Sequence, residues 1–135
     1  MSARTKARKR AVDMLFAADV RGVSVNEIVA AEALRAASEP DRETSWLYAR
    51  DIVDGVVENL EKIDEVISQN SRGWTLERMP AVDRAIVRCA AWEILFNPEI
   101  PAGVATSEAV SLAGELSTEE SSGFVNGLLS TIANR

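Results

Sequence analysis

The 135-residue sequence has no histidine and a single cysteine, Cys89. One cysteine cannot close an intramolecular disulfide bond, and without histidine it cannot complete an ordinary zinc site. The sequence also lacks a glycine-rich phosphate-binding loop, and no serine, cysteine or lysine has an obvious base beside it. These absences argue against an enzyme, and we expect neither a bound metal nor another cofactor.

Long apolar runs are absent as well. No stretch approaches the roughly 18 apolar residues that cross a membrane, and the N-terminus carries charges without the apolar segment of a secretory signal. A lone cysteine in an apolar pattern is typical of a reducing compartment. We therefore expect a cytoplasmic protein.

Aromatic residues make up only 5% of the sequence, although 47% of its residues are hydrophobic. Alanine, valine, leucine and isoleucine must therefore form most of the interior, which is typical of closely packed helices. No strand-like alternation of apolar and polar residues extends for any length. The sequence predicts one all-α domain that spans residues 1–135.

Apolar residues recur at spacings of three and four in segments that turn signals separate. Ser24-Val25-Asn26-Glu27 and Ser117-Thr118-Glu119-Glu120 are capping boxes, which begin helices. The longest segment would extend about 40 Å if it were unbroken. Seven segments are predicted: residues 3–21, 24–37, 41–70, 74–78 as a turn or very short helix, 80–96, 102–116, and a last helix from the second capping box onward.

One glycine, Gly55, lies inside the apolar pattern of segment 41–70. A glycine in a helix interior costs roughly 1 kcal/mol relative to alanine, so its presence there needs a reason. We expect another helix to cross closely at this position.

The basic residues are concentrated at the N-terminus. The first ten residues hold five of the 15 basic residues and no acid, so the remainder carries ten basic and 21 acidic residues, a net charge of −11. This asymmetry predicts one localised anion contact on a body that repels polyanions elsewhere. Because these side chains point in nearly all directions around the first helix, we expect this end to project into water or a partner. The five are Arg4, Lys6, Arg8, Lys9 and Arg10.

Two other places depart from the apolar helical pattern. Phe16 lies off the apolar stripe of the first helix, one to two turns after the basic residues, and either packs on a neighbouring helix or contacts a ligand. Polar residues also interrupt segment 80–96, which is predicted to be central and heavily buried; they are Asp83, Arg84 and Arg88. Asp83 can form an ion pair with one of the two arginines.

Three stretches together resemble the transcription antitermination factors of the NusB family. They are ARTKARKRAVDMLF at residues 3–16, PAVDRAIVRCAAWEI at residues 80–94 and IPAGVATSEAVSLAGELSTEESSGFVNGLL at residues 100–129. The similarity keeps the family's order and spacing over almost the whole chain and is weakest between residues 22 and 70. Its most specific part is the Phe-Val-Asn-Gly-x-Leu segment at residues 124–129.

The resemblance implies a seven-helix fold of two three-helix subdomains packed together, roughly residues 1–70 and 71–135. It also implies a bacterial RNA-binding factor that recognises the boxA segment of nascent ribosomal RNA transcripts. In that family the factor pairs with the ribosomal protein that doubles as NusE. The pair joins NusA, NusG and RNA polymerase to support processive, termination-resistant transcription of ribosomal RNA operons.

The resemblance further implies an RNA surface. The five N-terminal basic residues match the family's arginine-rich RNA segment, and Glu120 falls at the edge of the RNA surface. Positions that line this surface are matched by Phe16, Asp83 and Phe124. Basic side chains would bind phosphates, aromatic rings would stack on unpaired bases, and an acid such as Asp83 would accept hydrogen bonds from a base edge. One composite surface requires three helix ends to converge, and its candidate residues are Arg4, Lys6, Arg8, Lys9, Arg10, Phe16, Asp83, Arg84, Arg88, Glu120 and Phe124.

The sequence departs from the family pattern at several of these positions. Phe16 stands where tyrosine is common, Glu120 replaces a common aspartate, and Ser122-Gly123 replaces a more polar, often basic pair. These changes weaken the electrostatic case for RNA near the last helix and leave an alternative, a homodimeric helical bundle that occludes its own RNA surface. A third hypothesis, the RNA-targeting domain of a ribosomal RNA cytosine methyltransferase, would require a cofactor-binding domain that these 135 residues do not contain.

Overall fold

The computed structural model describes residues 2–135, apart from the side chain of Pro40. Over this range the chain forms seven α-helices and two short 3-10 turns, and it has no β-strand, so the all-α prediction is confirmed. No helix within residues 2–135 combines the length and apolar character needed to cross a membrane. The helices are α1 (Ala3–Arg21), α2 (Val25–Ala37), α3 (Glu43–Glu58), α4 (Leu60–Asn70), α5 (Ala81–Phe96), α6 (Ala102–Leu116) and α7 (Glu119–Ala133), with 3-10 turns at Pro40–Arg42 and Leu76–Arg78.

The helix ends follow the capping signals closely. Ser24 caps α2 as predicted, because its Oγ accepts a hydrogen bond from the Glu27 N–H at 3.3 Å. Gly22 ends α1 in the left-handed region, at φ +66°, which glycine adopts without strain. The cap of α7 is Thr118 rather than Ser117, because the Thr118 Oγ1 accepts from the Ser121 N–H at 3.1 Å. The predicted capping box is therefore displaced by one residue.

The prediction of one long helix over residues 41–70 is wrong. A 3-10 turn precedes α3, and the helix is interrupted at Asn59, so that α3 and α4 are separate elements. The Asn59 side chain donates to the Gly55 carbonyl at 2.8 Å, the same oxygen that its backbone N–H reaches at 3.1 Å. Asparagine favours such local bonds over a continuous helix. The interruption lets α3 pack on α1 while α4 packs on α5 and α7.

The central element is α5, as predicted. It contacts α1, α3, α4, α6 and α7, and its side chains Ile86, Val87 and Ala91 are buried. Alanines on the facing helices, such as Ala49, Ala109 and the equally buried Ala113, keep the helix axes close. Because α1 packs on both α3 and α5, the two halves of the chain share one core. The division into subdomains at residue 70 stays a prediction.

The close crossing expected at Gly55 is present. A Cβ placed on Gly55 would lie 2.0 Å from the Trp92 Nε1, well inside any allowed contact. The indole of Trp92 therefore lies directly over the backbone of α3, where only glycine leaves room for it.

We expect Gly55→Ala to destabilise the protein by about 1–3 kcal/mol although alanine is the better helix former, because the new methyl group must displace the indole of Trp92. Gly127→Ala is the matched control, since a Cβ at this helical glycine meets no atom of the described residues within 4 Å. It should stabilise the protein by up to about 1 kcal/mol. Urea unfolding of both variants measures the difference; equal shifts of the two midpoints would contradict the close crossing.

Candidate nucleic-acid interface

The five basic residues of α1 do not share one environment. Lys6 is exposed and makes no ion pair with the described residues, whereas Arg8 is only 5% exposed. The expectation that this end of the helix projects into water holds for Lys6 and Arg4 and is wrong for Arg8. One of the predicted RNA ligands is therefore part of the interior.

Arg8 is held by two carboxylates. Its Nε lies 2.9 Å from Glu93 Oε1, its Nη2 3.0 Å from Glu93 Oε2, and its Nη1 2.9 Å from Glu108 Oε1. The Tyr48 hydroxyl donates to Glu93 at 2.5 Å, and the Thr5 hydroxyl donates to Glu108 at 2.6 Å. Glu93 is 2% exposed, so a free carboxylate there would be costly and needs the guanidinium beside it. These five side chains form the buried ion-pair cluster.

Titration within the cluster reflects both burial and pairing. Burial opposes the charge of Arg8, but the hydrogen bonds and charges of Glu93 and Glu108 outweigh it and raise the pKa of Arg8. Burial, followed by the hydrogen bond to Glu93, raises the pKa of the Tyr48 hydroxyl. Arg8 therefore stays charged and Tyr48 stays a hydrogen-bond donor at physiological pH, which keeps the cluster fully bonded.

The other basic side chains are partly engaged. Lys9 Nζ lies 2.9 Å from Glu115 Oε1 of α6 in an exposed ion pair. Arg4 places its guanidinium carbon 4.5 Å above the centroid of the Tyr48 ring. Arg10 is half-buried between α1 and α2, and its Nε is buried without a hydrogen-bond partner in the described part of the chain. Such weak or exposed contacts leave Lys9 and Arg4 free to exchange partners.

The solvent face of α1 carries one continuous stripe. Lys6, Lys9, Asp13, Phe16 and Val20 follow each other at spacings of three and four, and all are exposed or half-exposed. Phe16 is 37% exposed and Val20 61% exposed. Burial raises the pKa of the single acid, Asp13, against the opposing charge of Lys9. The stripe therefore runs from cations at the start of the helix to apolar side chains near its end.

Asp83 occupies neither of the two places predicted for it. The residue is fully buried, and its Oδ2 accepts a hydrogen bond from the Ser121 hydroxyl at 2.7 Å. Its Oδ1 is also buried and has no hydrogen-bond partner within residues 2–135. The carboxylate thus faces the N-terminal turn of α7, whose partial positive charge favours an anion. Asp83 is therefore an interior residue that bonds to α7, and it is not exposed to a ligand.

Arg84 and Arg88 do not pair with Asp83 either. Arg84 reaches Asp19 Oδ2 through Nη2 at 2.7 Å and donates through Nη1 to the Leu76 carbonyl at 2.7 Å. Arg88 makes two bonds of 2.9 Å to the carboxylate of Asp64. The two arginines therefore tie α5 to α1 and to α4.

Phe124 packs on Trp74, which lies in a segment predicted to form only a turn or a very short helix. The rings of Trp74 and Phe124 lie 5.0 Å apart between centroids, at an interplanar angle of 51°. Glu120 is exposed one turn earlier on α7. Trp74 shortly precedes α5, which carries other predicted site residues, and this position in the sequence is a signal for a neighbour of the site.

The three helix ends do converge. Asp19 on α1 bonds Arg84 at the start of α5, and the adjacent Asp83 bonds Ser121 at the start of α7. Phe16 lies one turn before Asp19, and Phe124 lies one turn after Ser121. The aromatic residues of the candidate surface therefore come from helix ends that hydrogen bonds tie together, and the buried Asp83 makes one of these bonds.

Reactive groups of other kinds are not assembled here. Burial, with a further contribution from Glu93, raises the pKa of the Cys89 thiol, so the thiol stays protonated. Within residues 2–135 no group of three or more histidine, cysteine, aspartate or glutamate side chains is placed to hold a metal ion.

The burial of Arg8 gives a testable contrast with its neighbour in sequence. Arg8→Met should destabilise the protein by about 3–5 kcal/mol, because it leaves the buried carboxylate of Glu93 without its cation. Lys9→Met, which removes an exposed ion pair from the same helix, should change stability little. Thermal and urea unfolding measure both; a mild effect of Arg8→Met would mean that Glu93 does not need the guanidinium.

The chain matches the sequence model of the NusB family over residues 5–134. Among similar proteins, the transcription antitermination protein NusB of Leifsonia xyli subsp. xyli is 65% identical over 133 residues, which cover 98% of this chain and 92% of that protein. The protein of the same name from Clavibacter sepedonicus is 61% identical over 133 residues, covering 98% of this chain and 97% of the relative.

Solved structures are also similar to the chain. The T. maritima NusB structure superposes with a TM-score of 0.85 at 32% identity, covering 100% of this chain and 93% of that one. A structure of the antitermination factors NusB and NusE in complex with dsRNA gives a TM-score of 0.85 at 28% identity, covering 99% of this chain and 98% of the matched chain. The chain belongs to the NusB family.

Proposed function

We propose that this protein is a bacterial transcription antitermination factor that binds boxA RNA of nascent ribosomal RNA transcripts together with a NusE-type ribosomal protein. The observation that carries the proposal is the exposed stripe of α1, on which two lysines precede Phe16 at the end of the molecule where Phe124 packs on Trp74. Family membership and the NusB–NusE–dsRNA complex of a relative support the same role.

The proposed contacts divide by chemistry. Lys6, Lys9 and Arg4 would bind phosphates, because their side chains are exposed or held by exchangeable ion pairs. Phe16 would stack on an unpaired base, and Phe124 would present the exposed part of its ring beside it. Both rings offer flat apolar surface that any base can use, so they supply affinity for single-stranded RNA.

The remaining candidate residues act at other positions. Arg8 fixes the orientation of α1 from inside, and Asp83 orients the first turn of α7 through Ser121. Arg84 and Arg88 hold the neighbouring helices, and Arg10 lines the groove between α1 and α2. These are positioning residues in the proposal. Glu120 stays at the exposed edge, where its charge would repel a misplaced phosphate.

The proposal includes the wider assembly. The RNA-bound pair would act in the cytoplasm with NusA, NusG and RNA polymerase to keep transcription of ribosomal RNA operons processive. The protein would contribute by binding, without catalysing a reaction and without a cofactor. The net negative body would limit binding to one surface and so prevent coating of RNA at random.

A second candidate function is a homodimer that occludes this surface, favoured by the exposed apolar pair Phe16 and Val20 on one face of α1. Sedimentation over a range of concentrations tests it. The homodimer predicts concentration-dependent dimers that boxA RNA dissociates and that Val20→Asp abolishes. A monomer at all concentrations rejects it.

Stacking and charge can be separated in the RNA-binding test. Phe16→Ala should weaken boxA binding by about 1–3 kcal/mol for the stacked base and leave the salt dependence unchanged. Lys6→Gln with Lys9→Gln should reduce the slope of log affinity against log salt by about 0.7 for each phosphate that the protein no longer neutralises. Fluorescence anisotropy with boxA and scrambled RNA, with and without the NusE-type protein, measures both.

The controls for this experiment are remote residues of the same kinds. Leu34→Ala removes an apolar side chain that is 77% exposed on α2, and Arg50→Gln with Lys62→Gln removes two exposed charges from α3 and α4. Neither control should change affinity or slope. Unchanged binding by both site variants would overturn the proposed surface, and failure of the partner to sharpen discrimination would overturn the adapter role.

A further inference from the structure

A second surface lies at the C-terminal end of α5, whereas Phe16 and Phe124 of the proposed RNA surface belong to helix ends that bond to the start of α5. It is a groove of about 570 Å³ between α3 and the C-terminal half of α5, closed on one side by the turn that follows α5. Three of the seven aromatic residues of the chain line it: Tyr48, Trp92 and Phe96. One of the proposed phosphate contacts, Arg4, also lines the groove, and the other proposed RNA contacts do not.

The aromatic walls of the groove are held in place. Trp92 lies against the backbone of Gly55, and the Tyr48 hydroxyl both donates to Glu93 and accepts from Asn97 Nδ2 at 3.1 Å. Phe96 is 39% exposed at the end of α5. A ligand would therefore meet a preformed aromatic surface, which lowers the entropic cost of binding.

Acidic side chains surround the aromatic walls. Asp51, Asp54 and Glu58 line the α3 side at spacings of three and four, and Glu99 lines the opposite side. Against these four acids the groove has Arg4, and Arg50 reaches Asp54 from outside at 3.6 Å. The field of the groove is negative, so it attracts cationic segments and repels RNA.

The groove already holds a guanidinium from its own chain. Arg4 lies 4.5 Å over the Tyr48 ring, and its Nη2 is 3.9 Å from Glu99 Oε2. A cation over an aromatic face beside a carboxylate is a favourable arrangement. The Arg4 side chain is 47% exposed and the Glu99 side chain 76%, so another cation could replace this contact.

We propose that this groove, lined by Tyr48, Trp92 and Phe96, is a docking site for an exposed arginine- or lysine-bearing segment of a protein partner. The occupant is inferred from charge complementarity and from the position of the Arg4 guanidinium over the Tyr48 ring. A partner cation would bind over the Tyr48 ring in place of Arg4 and release Arg4 toward the exposed stripe of α1. The inference goes beyond the proposed RNA binding and does not depend on it.

The test uses the full-length protein labelled with ¹⁵N and a 12-residue peptide of alternating arginine and serine. The matched control peptide carries citrulline, the uncharged isostere of arginine. The indole N–H signal of Trp92, assigned with Trp92→Phe, should shift on titration with the arginine peptide only. The indole signal of Trp74 reports on the RNA surface and should stay unchanged.

Paired variants separate the groove from net charge. Asp51→Asn with Glu58→Gln should weaken peptide binding by at least about threefold. Asp41→Asn with Glu61→Gln removes the same charge from exposed positions outside the groove lining and should leave binding unchanged. Arg4→Ala should strengthen binding about two- to fivefold by removing the internal competitor. Phe96→Ala is a second variant that tests the aromatic wall, and it should weaken binding.

Several results would overturn the proposal. They are equal shifts with the citrulline peptide, equal reductions of affinity in the two paired variants, or no shift at Trp92. Self-association that Asp51→Asn with Glu58→Gln abolishes, without a peptide shift, would identify a second copy as the occupant. A shift of the Trp92 signal on addition of boxA RNA would identify nucleic acid as the occupant of the groove. Loss of boxA binding with an intact peptide shift would overturn the RNA function alone.

Discussion

The buried pair of Arg8 and Glu93 is the constraint on which the arrangement of the helices depends. A carboxylate that is 2% exposed in the last turn of the central helix needs a cation, and α1 supplies it from 85 positions away in the sequence. Tyr48 of α3 and Glu108 of α6 bond to the same two groups. Four helices are thereby fixed in register by directional bonds, whereas a core of alanine and valine alone would allow them to slide. The cluster stabilises one particular packing of otherwise similar helices.

This constraint also determines which residues of α1 are available for binding. α1 buries Arg8 and leaves Lys6, Lys9 and Phe16 exposed or half-exposed on another face. The Asp19–Arg84 pair then fixes the far end of α1 against the start of α5, and the Asp83–Ser121 bond fixes α7 there. The Arg8–Glu93, Asp19–Arg84 and Asp83–Ser121 contacts thus position the helices that carry Phe16 and Phe124. Arg8, Asp83 and Arg84, which the sequence predicts as RNA ligands, instead hold helices together.

The sequence predicts most of the fold because helix signals are local. The ends of α1, α2 and α6 follow from caps, glycines and prolines within a few residues, and the close crossing at Gly55 follows from a glycine where a helix disfavours one. The break at Asn59 could not be read in this way, because the apolar spacing continues through it and the bend is favoured by packing against α5 and α7. The site is less predictable for the same reason. The sequence places Arg8 in a basic cluster, but only the folded chain brings Glu93 beside it. Likewise, only the folded chain brings the first turn of α7 to Asp83, where Ser121 donates a hydrogen bond to it.

The uneven charge of the sequence has a structural counterpart beside the C-terminal end of α5. There Lys9 of the exposed stripe reaches Glu115 of α6, whereas on the α3 side acidic side chains surround Tyr48, Trp92 and Phe96. An anionic ligand and a cationic ligand are therefore each attracted to one place and repelled from the other. Arg4 is the one member of the N-terminal basic group that lies in the acidic groove, held by contacts weak enough to exchange. In the two proposals above, a cation that displaces Arg4 would add positive charge to the lysine-bearing side of α1, so occupation of the groove would favour RNA binding without any change of fold.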